Sequence, residues 1–312
     1  MKVKLEAYAQ LSARRHCNTA ELAGIMSLSN VNFSQNWLKI QCENVFSAKK
    51  AFTLLKKTFN IMCVFAVQSG GTLGRHRRYV LKIVGERNVR EVLDAVKYPV
   101  GGDGTVSDLV FQQNCCKRAF VRGCFLASGS VTDPAKSYHL EIVTPTKEKA
   151  EQLCRVINSF WSEPEQSETK WISRTRGGSK HCYVVYIKEG NQISDLLNIC
   201  ETYRCLMEME NIRVTKEIAN SLNRVQNCEM ANMVKTINAA QEQKSDILYI
   251  DSEIGIEKLP GDLYELARVR LENPDISLRE LGEMLNPPVG KSGVNHRLRR
   301  IKKIADDLRE GR

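Results

Sequence analysis

The chain has 312 residues, 42% of them apolar, and carries 46 Lys and Arg against 36 Asp and Glu for a formal charge of +10. That suffices for two or three domains with ordinary cores, whereas no run approaches the roughly 18 apolar residues that span a bilayer. Met1 to Glu6 lacks the apolar stretch of a secretory leader, so a cytoplasmic protein with no membrane partner is expected.

In chain order, Leu22-Ala23-Gly24-Ile25-Met26-Ser27-Leu28-Ser29-Asn30 predicts an apolar helix with a glycine inside it. A helical glycine costs roughly 1 kcal/mol against alanine unless another backbone must approach closely. Alternating residues follow from Val31 to Glu43, then a helix over Ala48 to Phe59. Strands over Ile61 to Val67 and Tyr79 to Val84 flank a Gly70-Gly71 turn, and a helix over Asn88 to Val96 closes the unit. The order then repeats. Val121-Arg122-Gly123-Cys124-Phe125-Leu126-Ala127-Ser128-Gly129 predicts a second glycine helix, with alternating segments from Ser130 to Val143. A helix over Lys147 to Trp161, strands over Lys170 to Thr175 and Cys182 to Lys188 about Gly177-Gly178, and a helix over Ile193 to Cys200 complete it. Residues 1–98 and 99–205 therefore read as two copies of one mixed unit whose glycine helices pack together. Pro99 to Gly104 reads as a linker, because a phosphate loop would need a lysine and serine that it lacks.

Residues 206–256 read as a helical linker with Ile218, Leu222 and Val225 on its apolar face and a hinge at Ser245 to Ile256. Residues 257–312 read as an all-α helix-turn-helix domain. Leu263, Leu266, Ala267 and Leu271 mark one helix, and Ser277 with Glu280 forms a capping box opening a second, with Leu278, Leu281 and Leu285 inward. Ser292 is expected to cap a third, with Val294, Leu298, Ile301, Ala305 and Leu308 on its inner face.

Charge is unevenly spread. Residues 1–100 carry 16 basic and 6 acidic groups, which favours a polyanionic partner. From Val289 to Ala305 there are six basic residues and no acid. On a helix that follows a short capped helix, this is the pattern of a recognition helix entering a major groove of double-stranded DNA. The candidate DNA contacts are Lys291, Ser292, Asn295, His296, Arg297, Arg299, Arg300 and Lys303. Arg75, Arg77 and Arg78, in a loop feeding a strand, and Arg174 and Arg176, alternating on one face of another, are candidate accessory contacts; edge protection is the structural alternative. The eleven cysteines include no CxxC pair, and neither Cys115-Cys116 nor Cys200 with Cys205 has a well-spaced histidine, so core packing is expected rather than zinc. No cofactor is called for.

The two glycine helices resemble the LAGLIDADG motif of homing endonucleases, which implies a duplicated αββαββα domain in an α+β fold. In that family an acidic residue at the foot of each helix binds the catalytic metals. The matching positions are Ser29 and Ser128, which cannot supply that charge. Asp133 and Glu141 lie nearby in sequence; they are the acids to test should the alternative, a magnesium-dependent endonuclease, hold. Together with Arg118-Ala119-Phe120-Val121-Arg122-Gly123 and Asn286-Pro287-Pro288-Val289-Gly290-Lys291-Ser292-Gly293-Val294-Asn295-His296-Arg297-Leu298, the chain resembles the WhiA regulators of Gram-positive bacteria over almost its full length. The resemblance implies a non-enzymatic, nucleoid-associated transcriptional regulator acting in cell division, chromosome segregation and, in filamentous relatives, sporulation. It also implies a helix-turn-helix similar to that of sigma factors, and makes a sigma factor or other transcription or division proteins candidate partners.

Overall fold

The computed structural model describes residues 2–70, 76–99, 104–161, 169–176 and 180–311. They fall into two units, residues 1–215 and 216–312.

The first unit opens with α1 (Lys2–Ala9), a short helix with no apolar periodicity in its sequence. It is anchored by polar contacts: the Glu6 carboxylate accepts from the backbone N–H groups of Arg204 and Cys205 at 2.8 and 3.0 Å. The duplicated expectation then holds. α2 (Arg15–Leu28), β1 (Asn30–Ser34), β2 (Trp37–Cys42), α3 (Val45–Phe59), β3 (Val64–Gly70), β4 (His76–Val84) and α4 (Glu86–Ala95) form one half. The other half is α5 (Asn114–Ser128), β5 (Gly129–Val131), β6 (Leu140–Thr144), α6 (Lys147–Asn158), β7 (Lys170–Arg176), β8 (Lys180–Ile187) and α7 (Gly190–Ile199). Both sheets are antiparallel with the same strand order, β1-β2-β4-β3 and β5-β6-β8-β7. The fold is thus α+β with two αββαββα halves.

Two glycines set the join. A Cβ on Gly24 would lie 2.3 Å from the Phe120 carbonyl oxygen, and one on Gly123 would lie 2.2 Å from that of Glu21. Only glycine admits this approach, which is the compensation for its cost within a helix. Beside the crossing lies a charged cluster. Arg122, 2% exposed, donates from Nε and Nη2 to the two oxygens of fully buried Glu21 at 2.9 and 3.1 Å, and from Nη1 to Glu201 at 2.6 Å. Lys50, 1% exposed, stands 3.1 Å from Glu21 and donates to the Tyr8 carbonyl at 3.2 Å. Burial alone would lower the pKa of Arg122, but Glu21 and Glu201 outweigh it and hold the guanidinium above its ordinary value. For Lys50 burial wins, and its pKa falls despite Glu21.

The helix α8 (Tyr203–Ile254) has no break at Ser245. The expected hinge is therefore corrected: Ile247 and Ile250, one helical turn apart, are fully buried in the core of the second unit, which keeps this stretch helical. Ile218, Leu222 and Val225 lie on α8 as expected but are exposed. α9 (Gly261–Glu272), α10 (Leu278–Glu283) and α11 (Lys291–Arg309) complete that core with Leu263, Leu266, Leu281, Leu298 and Ile301. No helix among the described residues is long and apolar enough to cross a membrane. Most of the expected linker, the Gly177-Gly178 turn, Gly71 and Arg75 lie outside the described residues.

Candidate nucleic-acid interface

The capping box that opens α10 is complete: Glu280 N–H donates to Ser277 Oγ at 3.4 Å and Ser277 N–H donates to Glu280 Oε2 at 2.9 Å. The turn after α10 folds back on it. Val289 N–H donates to the Gly282 carbonyl at 2.9 Å, and a Cβ on Gly282 would lie 1.9 Å from the Val289 oxygen, so glycine is required there. This contact lets a long turn keep α11 against α10. α11 is not capped by Ser292. Gly290 occupies the cap with extended backbone, and Ser292 already sits inside the first turn, exposed.

Val294, Leu298, Ile301 and Ala305 are buried, with Leu308 packed beside them, which fixes the outward side of α11. At about 100° per residue, Ser292, Asn295, His296, Arg299 and Lys303 share the opposite side. Arg299 and Lys303 are exposed, and among the described residues no acid lies within ion-pair distance of either, or of Lys291. Arg297 and Arg300 differ. Both reach Asp262 on α9, at 3.7 and 3.1 Å, and Arg297 is only 21% exposed. Lys302 pairs with Glu242 on α8, which holds its pKa above the ordinary value. Sequence reasoning missed this partnering because the acids lie on other helices.

In the first unit, β4 begins at His76, so Arg77 and Arg78 are strand residues rather than loop residues. Pairing with β3, down to Gly70 opposite His76, extends the strand that far. They consequently alternate: Arg78 shares a face with Lys82, whereas Arg77 shares one with Tyr79 and buried Leu81. On the Arg78 face, Lys39 of β2 lies directly opposite Lys82. Like charges directly opposite are unfavourable, and a bound anion would relieve them. Neither lysine stood out in the sequence, since each stands between apolar residues, Leu38 and Ile40 or Leu81 and Ile83, as any outward strand residue does. The equivalent face of the second sheet carries Lys170 and Arg174 by strand parity, with Arg174 held by Glu141 at 3.0 Å; the side chain of Arg176 lies outside the described residues.

Both serines at the helix feet are engaged. Ser128 Oγ donates to the Val143 carbonyl at 2.7 Å, and Ser29 Oγ lies 3.5 Å from Cys42 Sγ. A groove of about 1020 Å³ opens there, lined by Ser128, Glu141, Arg174 and Lys4 among others. Lys149 donates to the Ser27 carbonyl at 2.8 Å at the foot of α2. Glu141 is committed to Arg174, and Asp133 lines a different cavity, so the two acids do not form a pair at the helix feet. Glu43 also lines the groove, so two acids, Glu43 and Glu141, share it with Lys4 and Arg174, while the helix feet themselves carry serines.

Three family models match the chain: the WhiA N-terminal LAGLIDADG-like domain at residues 15–97, the WhiA LAGLIDADG-like domain at 117–219 and the WhiA C-terminal HTH domain at 222–305. A probable cell division protein WhiA of Lachnoclostridium phytofermentans is 44% identical, covering 99% of this chain and 98% of that protein. One of Clostridium botulinum is 41% identical, covering 100% and 98%. The crystal structure of full-length DUF199/WhiA from Thermatoga maritima superposes with a TM-score of 0.59 at 25% identity, covering 97% of this chain and 96% of that one.

Proposed function

Since this chain belongs to the WhiA family, we propose that it is a non-enzymatic DNA-binding regulator acting in cell division, with α11 as its reading helix. The observation that carries this reading is the outward side of α11, where Ser292, Asn295, His296, Arg299 and Lys303 stand together and, among the described residues, no acid lies within ion-pair distance of Arg299 or Lys303. Asparagine and arginine near a helix start address base edges, while lysines further along suit phosphates. Arg297 and Arg300, tethered to Asp262, serve as flanking contacts. Lys39, Arg78 and Lys82 supply an accessory surface for backbone phosphates. The regulator sits on the nucleoid, acts at promoters, alone or with a sigma factor, and influences chromosome segregation.

Crosslinked occupancy across the genome tests the reading. Discrete promoter peaks that vanish in the Arg299→Ala, Lys303→Ala double variant are expected; diffuse occupancy unchanged by the variant contradicts it. Incubating plasmid with the protein and magnesium is expected to leave it supercoiled. Nicking that disappears on Glu141→Gln substitution would establish the endonuclease alternative instead.

A further inference from the structure

The crossing of α2 and α5 brings together the first turns of both helices. His16 and Cys17 on one, and Cys115 and Cys116 on the other, place one ring nitrogen and three sulfurs all within 4.8 Å of one another. His16 Nδ1 is 3.0 Å from Cys116 Sγ and 3.4 Å from Cys17 Sγ. Cys17 and Cys116 are buried, Cys115 is half-buried and His16 is exposed. From this cluster we propose that the first unit holds a structural zinc ion in a Cys3His site that clamps its two halves together.

The donor set and its size both fit. Three thiolates and an imidazole select zinc over calcium or magnesium, and closed tetrahedral four-protein sites of this composition are structural. Bonds of about 2.3 Å to sulfur and about 2.0 Å to nitrogen place tetrahedral donors roughly 3.5 to 3.8 Å apart. From 3.0 Å the closest pair needs to open by about 0.5 Å, and pairs near the 4.8 Å limit need to close by about 1 Å. Its charge is also met: both ligand pairs lie in helix first turns, whose dipoles favour thiolate, and Arg14 Nη1 stands 4.0 Å from Cys115 Sγ. Binding releases the three thiol protons to solvent and leaves the oxidation states of metal and sulfur unchanged.

The ligands also follow the repeat. Ninety-nine residues separate His16 from Cys115, Cys17 from Cys116 and Gly24 from Gly123. The site therefore occupies the end of the same two-helix crossing that the glycines bring close. A zinc ion there ties the N-terminal ends of two helices that belong to different halves of the duplicated fold.

The test uses the full chain purified under reducing conditions without chelator. Zinc analysis is expected to give one equivalent per chain. After removal of zinc, titration with Co²⁺ is expected to produce intense tetrahedral ligand-field bands and thiolate charge transfer that saturate at one equivalent and are displaced by Zn²⁺. Cys115→Ser, at a half-buried position, is expected to lose both bands and bound zinc while retaining its circular dichroism. His16→Cys is expected to keep them, and Cys228→Ser, at an exposed thiol outside the cluster, to leave them unchanged. Absence of retained zinc together with absence of a saturable tetrahedral Co²⁺ spectrum in the wild type overturns the proposal. So do bands that persist unaltered in Cys115→Ser, or a disulfide among the three cysteines in the freshly purified chain.

Discussion

Arg122 in α5 and Arg299 in α11 put the same side chain to opposite uses. Arg122 is buried against Glu21 and Glu201, and its guanidinium is taken up by both. Arg299 stands exposed, and among the described residues no acid lies within ion-pair distance of it. The difference shows that a charge count along the sequence does not locate an interface; partnering does. Residues 1–100 carry the excess of positive charge, yet Lys50 is spent inside the fold, and Arg15 and Arg90 pair with Glu91 and Glu86. The second unit is nearly neutral, and still presents unpaired basic residues, because acids on α8 and α9 take up Arg297, Arg300 and Lys302, whereas among the described residues no acid lies within ion-pair distance of Arg299 or Lys303.

The largest expected effect falls on the buried side of the contrast. Glu21→Ala strands two buried cations, Arg122 and Lys50, and should cost about 3–5 kcal/mol of stability by chemical denaturation. A cost below 1 kcal/mol would mean that the cluster is hydrated rather than sealed. Next, Gly123→Ala inserts a methyl group 2.2 Å from the Glu21 oxygen and forces the helices apart, with an expected loss of about 1–3 kcal/mol. The same substitution at exposed Gly261, where nothing lies within 4 Å, should be nearly neutral.

On the exposed side, Arg299→Ala should weaken binding of promoter DNA by about 1–3 kcal/mol with unchanged thermal stability. Arg297→Ala should weaken it less, since DNA must first compete with Asp262 for that guanidinium, and Asp262→Asn should narrow the difference between the two. Equal losses for Arg297 and Arg299 in the presence of Asp262 would erase the distinction drawn here.

The smallest effect is a pH dependence. Burial lowers the Lys4 pKa to about 8, from 10.5 for an ordinary lysine. Between those values the unfolded chain holds a proton that the folded chain has released, so this group makes stability rise with pH from about 8 to 10.5. Lys4→Met should remove that rise and be neutral or stabilising at pH 7, as read from denaturation midpoints across the range.

Much of this was legible in the residues themselves. Gly24 and Gly123 announce a close crossing because glycine in an apolar helix needs a reason, and Ser277 with Glu280 names its own capping box. Features that depend on distant partners were not. α1 has no amphipathic pattern and is held by Glu6 on the start of α8, some two hundred residues away. The cap of α11 moved from Ser292 to Gly290 because the Gly282–Val289 contact, not a side-chain cap, sets where that helix begins. Alternation within β4 separates Arg77 from Arg78 only once the start of the strand is known. The four metal-ligand candidates are two adjacent pairs that look like core residues until the repeat superimposes them.

The central claim is that α11, rather than the more basic first unit, reads DNA. Affinity for promoter DNA measured against salt concentration tests it, comparing wild type with Arg299→Ala, Lys303→Ala and with Lys39→Ala, Lys82→Ala. The account predicts that the α11 variant loses discrimination between promoter and random DNA, whereas the sheet variant keeps discrimination and shows only a shallower salt slope. Discrimination preserved in the α11 variant and lost in the sheet variant would contradict it.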